Sequence, residues 1–219
     1  MTDPVVWVSF TCAIAVLLIF GVLERPGGDF RAKATRKAVG GAGFLVATLV
    51  TWAVLGLDVA SAGFGLTDPT VAVVGALGCM ITMVPVAAYS STRPGTWAHV
   101  PELRAPSFPP ARIATLVAAW TVYLIGYEAF FRGVLTHVLV AELGAVRGLG
   151  VMTGLYGLAH LTKRPGEAFG TLVVGPIYGW IAIRSGGFWP ILVVHVAIAC
   201  TAELVAAWKN PDIPFGKDA

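Results

Sequence analysis

The amino-acid sequence predicts an all-α fold, a polytopic bundle of about seven transmembrane helices with a range of six to eight. Apolar side chains make up 57% of the 219 residues and charged side chains only 12%, against about a quarter in soluble domains. The mean hydropathy is +0.79, and uncharged apolar runs recur from end to end. This composition excludes an ordinary soluble globule, and it predicts the lipid bilayer as a partner. A net charge of +3 without an extended basic stretch also argues against nucleic acid as a partner.

Apolar runs between charged residues define the spans. The first run follows Asp3 without a preceding Lys or Arg, so it is interpreted as a membrane helix and not as a cleaved signal peptide. The runs at 148–162 and 168–183 are short and rich in glycine at four-residue spacing, which predicts interior helices whose backbones approach closely. The glycines concerned are Gly150, Gly154, Gly175 and Gly179. The seven candidate spans are residues 4–23, 38–57, 69–92, 113–135, 148–162, 168–183 and 188–207.

The chain divides into parts by content. Residues 1–92 hold three spans without any Lys, Arg, Asp, Glu or His, and five prolines predict an extended cytoplasmic linker at 93–112. Residues 113–207 form a four-helix membrane core of catalytic type, because every ionisable residue at membrane depth lies there, and residues 208–219 form a cytoplasmic tail. No internal repeat supports a transporter built from inverted halves.

Lysine and arginine in the loops indicate the orientation. With seven spans, 12 of the 15 basic residues fall on one side, two (Arg147 and Arg184) fall on the other, and Arg132 lies inside a span. Because basic loops stay cytoplasmic, the sequence predicts a multi-pass protein of the cell membrane with its N-terminus outside and its C-terminus in the cytoplasm.

Four ionisable residues at membrane depth are the candidate site. Glu128 and Arg132 are four apart and share a helix face, whereas His160 and His195 come from later spans. Taken singly, the first two fit a structural salt bridge and the histidines fit hydrogen-bonded core residues. Together, one carboxylate and two imidazoles from three successive spans suit water activation with stabilisation of an oxyanion.

The other ionisable groups and the cysteines in the spans are interpreted as structural residues outside the site. His137 is expected at headgroup level on a different face from Arg132. Glu203, near the predicted cytoplasmic end of the last span, is expected to be an interfacial carboxylate. The three cysteines lie inside apolar runs and are expected to pack as small hydrophobic residues: Cys12, Cys79 and Cys200.

Three segments together resemble the CAAX protease and bacteriocin-processing (CPBP, or Abi) family of glutamic intramembrane endopeptidases. They are Gly126–Leu135, Gly154–His160 and Gly179–His195, and the resemblance covers roughly 113–207. It implies a membrane-embedded peptide hydrolase that cleaves a membrane-associated protein or peptide without a cofactor or a metal ion.

The family's first motif is two adjacent glutamates, three residues and an arginine. Glu128 and Arg132 match its second glutamate and its arginine, and Tyr127 stands where the family has the first glutamate, which is taken to activate water with the histidine matched by His160. The family's oxyanion histidine is followed by asparagine four residues later. His195 matches that histidine, and Ala199 stands at the asparagine position.

The resemblance implies roles for these residues. Glu128 or another nearby carboxylate would act with His160 to deprotonate water, His195 would donate to the oxyanion, and Arg132 would fix the carboxylate. The other carboxylate considered is Glu167, because the segment after His160 is similar to a branch of the family that has a glutamate at this place.

Other functions remain open at this stage. A catalytically inactive member acting as a binding scaffold is the main alternative, because Tyr127 and Ala199 occupy positions of chemistry in the family. One glutamate and two histidines could also form a zinc site, although no HExxH spacing is present. Buried Glu and His side chains would further suit proton-coupled transport.

Overall fold

The protein, shown by a computed structural model, is all-α, as the sequence predicts. The structure describes residues 3–19, 29–160 and 165–216, without the side chains of 165–168, and this part of the chain contains no β-strand. Its helices are α1 (Pro4–Leu18), α2 (Phe30–Leu55), α3 (Pro69–Ser91), α4 (Pro110–Glu128), α5 (Thr136–Leu143), α6 (Ala145–Leu158), α7 (Pro165–Ser185) and α8 (Trp189–Lys209).

Aspartate caps fix where the first helices begin. The carboxylate of Asp29 accepts a hydrogen bond from the backbone N–H of Ala32 at 2.8 Å, and Asp3 and Asp68 cap α1 and α3 in the same way. The cap starts α2 at Phe30, so the predicted start at residue 38 is wrong. The basic stretch after Phe30, assigned to a loop by its charge, forms the first two turns of α2 instead.

The predicted end of the fourth span at residue 135 is also wrong. After Glu128 the chain passes through wide, π-type turns over Ala129–Leu135 and continues as α5, so one helical path runs over Pro110–Leu143. Gly144, with a φ of 77°, ends this path, and α6 begins immediately afterwards, at Ala145.

Length and surface identify a multi-pass membrane protein. Four described helical stretches are long and apolar enough to cross a bilayer, namely α2, α3, the α4–α5 path of 34 residues and α8. Large apolar side chains point outward along the bundle, as a lipid-facing surface requires. Examples are Phe10, Leu17, Val46, Val74 and Ile81.

Helices α2 and α4 form the tightest crossing near the candidate site. They run parallel, and a Cβ added to Gly41 would lie 2.5 Å from the carbonyl oxygen of Val122 and 2.7 Å from Cα of Tyr123. Gly126 faces the backbone of Gly41 from the opposite helix. Glycine is required here because no side chain fits between the two backbones.

The predicted interior position of α6 and α7 is wrong. Each helix buries one face and exposes apolar side chains on the other, among them Val151, Leu158, Leu172 and Val173. Gly150 and Gly154 have no described atom within 4 Å of an added Cβ, so this pair does not lie at a crossing of the described helices. The α6–α7 contact uses the other predicted pair: an added Cβ would lie 3.0 Å from Thr153 at Gly175, and Gly179 receives the side chains of Leu149 and Met152.

Both ends of the bundle are covered by connecting segments. At one end, the N–H of Thr67 donates to the carbonyl of Ser185 at 2.8 Å, which holds the α2–α3 loop onto the α7–α8 turn. At the other end, residues 92–109 pack against the bundle, and the N–H of Phe108 donates to the carbonyl of Pro214 at 2.8 Å. The linker expected at 93–112 is therefore a packed segment whose Leu103 and Phe108 are fully buried.

Candidate active site

A carboxylate, an imidazole and a guanidinium meet inside the bundle. The Nδ1–H of His195 donates to Oε1 of Glu128 at 2.5 Å, and Nε of Arg132 lies 3.4 Å from Oε2 of the same carboxylate. Glu128 and Arg132 have no exposed surface, whereas the His195 side chain is 19% exposed. The Glu128–Arg132 pair expected from the i, i+4 spacing is present, and α8 adds His195 to it.

Aromatic rings surround the buried guanidinium. The Cζ atom of Arg132 lies 3.8 Å from the ring centre of Tyr156 and 5.5 Å from that of Tyr178. Each ring presents its electron-rich face to the cation, which offsets part of the cost of burying the charge. These contacts fix Arg132 beside Glu128 and keep the carboxylate in one orientation.

His160 lies at the end of α6, on the same aromatic cluster. Its Nδ1 atom is 3.1 Å from the carbonyl oxygen of Tyr156, and because a carbonyl only accepts, Nδ1 carries the proton. The ring centre of Tyr127 lies 6.5 Å from that of His160 and 5.9 Å from that of His195. Tyr127 thus stands next to both imidazoles.

A cavity of about 320 Å³ opens in front of the two histidines. His160, His195 and Tyr127 line it, and so does Ala199. Among the described residues, Glu128 and Arg132 do not line it and lie behind His195. Of Glu128, Arg132 and His195, only the His195 imidazole is therefore placed to meet a molecule in the cavity.

A second polar cluster lines the cavity and involves residues that the sequence analysis treated as unremarkable. Lys37 is 5% exposed, pairs with Oε2 of Glu102 at 2.9 Å, and lies over the rings of Trp120 and Tyr123 at 4.0 and 4.6 Å. Glu203, expected to be an unremarkable interfacial carboxylate, is buried within the protein. Glu203 is 2% exposed, and its carboxylate accepts the N–H groups of Glu102 and Leu103 at 2.7 and 3.2 Å.

These contacts hold the 92–109 segment against the bundle. Lys33 adds another by donating from Nζ to the carbonyl of Glu102 at 2.9 Å. No motif signals the cluster in the sequence. The one usable signal is the position of Glu203 in a long apolar run, where a charged group needs a partner.

His137, expected at headgroup level, lies against the wide turns that follow Glu128. Its Nδ1 lies 2.9 Å from the carbonyl oxygen of Gly133 and 3.1 Å from that of Arg132, both in the π-type turns. The ring also packs against Gly63 of the α2–α3 loop. His137 therefore stabilises the wide turns and is not among the side chains that line the cavity.

The protein-family comparison covers the segment that builds this site. Residues 109–201 match the model of the family described as type II CAAX prenyl endopeptidase Rce1-like. Over these residues the chain is similar to the CAAX protease family. No curated protein and no solved structure matches the chain. The family assignment agrees with the resemblance found in the three sequence motifs.

Within residues 109–201, four of the five predicted site residues can be placed. Glu128, Arg132 and His195 form one bonded group, and His160 lies beside Tyr127. The side chain of Glu167 falls outside the described part of the structure. Among the described residues, no three His, Cys, Asp or Glu side chains form a group that could hold a metal ion.

Proposed function

We propose that this CAAX-type protein is an active intramembrane endopeptidase that uses His195, oriented by Glu128, to activate water. The observation that carries this proposal is the 2.5 Å hydrogen bond from His195 to a fully buried carboxylate at the wall of a cavity. A carboxylate on Nδ1 fixes the imidazole tautomer and supports the positive charge that the ring gains when it takes a proton.

The roles proposed for Glu128 and His195 differ from those that the resemblance implies. Glu128 lies behind His195 and outside the cavity lining, so it acts as a positioning residue. With its Nδ1 proton directed at Glu128, neutral His195 keeps a lone pair on Nε2 for the proton of a water molecule. Arg132 keeps Glu128 ionised, because a protonated carboxyl group would lose the ion pair.

His160 is the group proposed to stabilise the tetrahedral intermediate. It lines the same cavity as His195, and both rings contact Tyr127. Because its Nδ1–H is bonded to Tyr156, His160 would donate from Nε2 to the developing oxyanion in its protonated form, and a low dielectric strengthens that interaction. Removal of one such donor commonly slows an enzyme about 10²–10³-fold.

The substrate class follows from the position of the site. The cavity lies in a bundle whose outer surface is apolar, so we propose a membrane-associated peptide or protein as the substrate. The proposed location is the cell membrane, with the N-terminus outside and the C-terminus in the cytoplasm, supported by the 12-to-2 distribution of basic residues between the two sides.

Cleavage of membrane-tethered reporters by the purified full chain in proteoliposomes tests the proposal. Reporters with a prenylated CAAX end and the same peptides without the lipid should both be used. We expect His195→Ala and His160→Ala each to reduce cleavage at least about 10²-fold, and Glu128→Gln to reduce it strongly. Glu167→Gln should have a smaller effect. Glu142→Gln, an exposed change outside the site, is the matched control.

Other results would select the alternatives. If no reporter is cleaved, and if His195→Ala, His160→Ala and Glu128→Gln all leave the wild-type cellular phenotype unchanged, the inactive scaffold is favoured. Cleavage that a chelator abolishes and zinc restores would favour metal-dependent hydrolysis. A large gain of activity from Tyr127→Glu would show that the natural protein lacks the base its family uses.

A further inference from the structure

A groove of about 770 Å³ lies between the first turns of α2 and α4, apart from the cavity of the candidate active site. Arg31 comes from α2, Arg112 from α4 and Arg104 from the connecting segment. Phe30 and Ala111 add apolar surface to the same walls. Three cations from three separate stretches of the chain therefore converge on one concave surface.

The arginines in the groove do not pair with any carboxylate of the described residues. Within residues 3–19, 29–160 and 165–216, none of the three forms an ion pair. Arg112 donates to the carbonyl and hydroxyl oxygens of Ser107 at 3.0 and 2.8 Å, and Arg104 donates to the carbonyl of Ala98. The carboxylate of Asp29, also in the groove, accepts from Ala32 as the cap of α2.

The backbone adds to this positive potential. Because α2 and α4 are parallel, both begin at this end, as the contact between Phe30 and Phe108 shows, with ring centres 6.1 Å apart. The positive ends of two helix dipoles therefore point to the same place as the arginines. At the start of α4 no side chain caps the helix. An anion in the groove would meet charge from side chains and backbone together.

The groove also borders the lipid-facing surface. Within a few turns of its start, α2 presents Val39 and Val46 outward, with 48% and 59% of these side chains exposed. The basic residues thus end where the apolar surface begins, which is the depth of phospholipid headgroups. A lipid whose phosphate occupies the groove could lay its acyl chains along this surface, whereas a soluble phosphate would gain nothing from it.

We propose that this groove binds the phosphate group of one anionic phospholipid, with Arg31, Arg104 and Arg112 as its ligands. The lipid would join the starts of α2 and α4 to the connecting segment, and it would neutralise charges that the described residues leave unpaired. This site does not depend on the proposed protease activity, so either proposal can fail without the other.

Lipid titration of the purified full chain in neutral detergent tests the site. Unfolding temperature is measured against added phosphatidylglycerol or phosphatidylcholine. We expect saturable stabilisation by phosphatidylglycerol only. Because one cation near the membrane surface changes affinity about fivefold, Arg31→Gln/Arg112→Gln should weaken the apparent affinity about 25-fold. The matched control is Arg93→Gln/Lys209→Gln, which removes two charges near the same end but outside the groove.

Three results would overturn the proposal. An equal loss of affinity in the control variant would show diffuse attraction to the basic end. Equal stabilisation by phosphatidylcholine would show a site that ignores charge, and equal stabilisation by inorganic phosphate at the same concentration would show a site for a soluble anion. If the double variant does not fold, Arg31→Gln alone suffices, because the Arg31 side chain is exposed and makes no hydrogen bond to another described residue. It should weaken binding about fivefold.

Discussion

Replacing Gly41 by alanine tests the helix crossing on which the site depends. This glycine, four residues after Lys37, lets α2 approach the backbone of α4 at Val122 and Tyr123, five to six residues before Glu128. A Cβ at position 41 would lie 2.7 Å from Cα of Tyr123, whereas unstrained carbon atoms stay about 3.5–4.0 Å apart. The two helices must therefore separate by about 1 Å, because both colliding groups are backbone atoms.

The expected loss of stability follows from this separation. Overpacking a tight core typically costs about 1–3 kcal/mol, and alanine returns up to about 1 kcal/mol through its better helix propensity. Gly43→Ala is the matched control on the same helix, since among the described residues its added Cβ would meet only the flexible side chain of Ile19, at 3.3 Å. Subtracting the control removes the propensity gain and leaves the cost of the crossing, about 2 kcal/mol.

Unfolding in mixed detergent micelles, followed by circular dichroism, measures this difference. Gly41→Ala should unfold several degrees below the control variant, at about 2–4 °C for each kcal/mol. Its reporter cleavage should fall as well, because Tyr127 and Glu128 move with α4. Equal unfolding temperatures for the two variants would refute the close approach of α2 to α4 at Gly41. The placement of Lys37 in the cavity, which depends on that approach, would be refuted as well.

Three further predictions follow from the buried charges and the topology. Arg132→Met should lower the free energy of unfolding by about 3–5 kcal/mol, and Glu128→Gln/Arg132→Met should lower it by less, because a lone buried charge is the costly state. Equal stability of the two variants in detergent would contradict the pair. Glu203→Gln should weaken two backbone hydrogen bonds by about 1–3 kcal/mol and speed tryptic cleavage after Arg104, and an unchanged rate would show that Glu203 does not hold the segment. A single cysteine at Arg31 should stay unlabelled by an impermeant external reagent, and strong labelling would reverse the proposed orientation.

The sequence alone was sufficient to predict the membrane bundle and the buried Glu128–Arg132 pair. An apolar run of about 20 residues has few alternatives to a membrane helix, and the family match supports the motifs that were selected. Glu128 and Arg132 were predicted to pair from their spacing, since i and i+4 share a helix face. Such local rules do not depend on how the helices cross.

The partner of Glu128 depended on tertiary structure. The π-type turns after Glu128 and the crossing of α4 with α8 decide whether His160 or His195 reaches the Glu128 carboxylate. Neither the turns nor the crossing has a reliable pattern in a single sequence. Lys37 and Glu203 were missed for a related reason. A charge near a span end usually indicates a loop, but here the backbone partner of Glu203 lies 101 residues away, at Glu102.

Cleavage of a membrane-tethered reporter in ¹⁸O-labelled water tests the central claim most directly, because it reports both hydrolysis and its dependence on His195. Mass spectrometry of the new C-terminus should show one ¹⁸O atom incorporated by the wild-type protein, and almost no product from His195→Ala in proteoliposomes with equal amounts of folded protein. Product formed without the label, or formed equally well by His195→Ala, would contradict water activation by the His195–Glu128 pair.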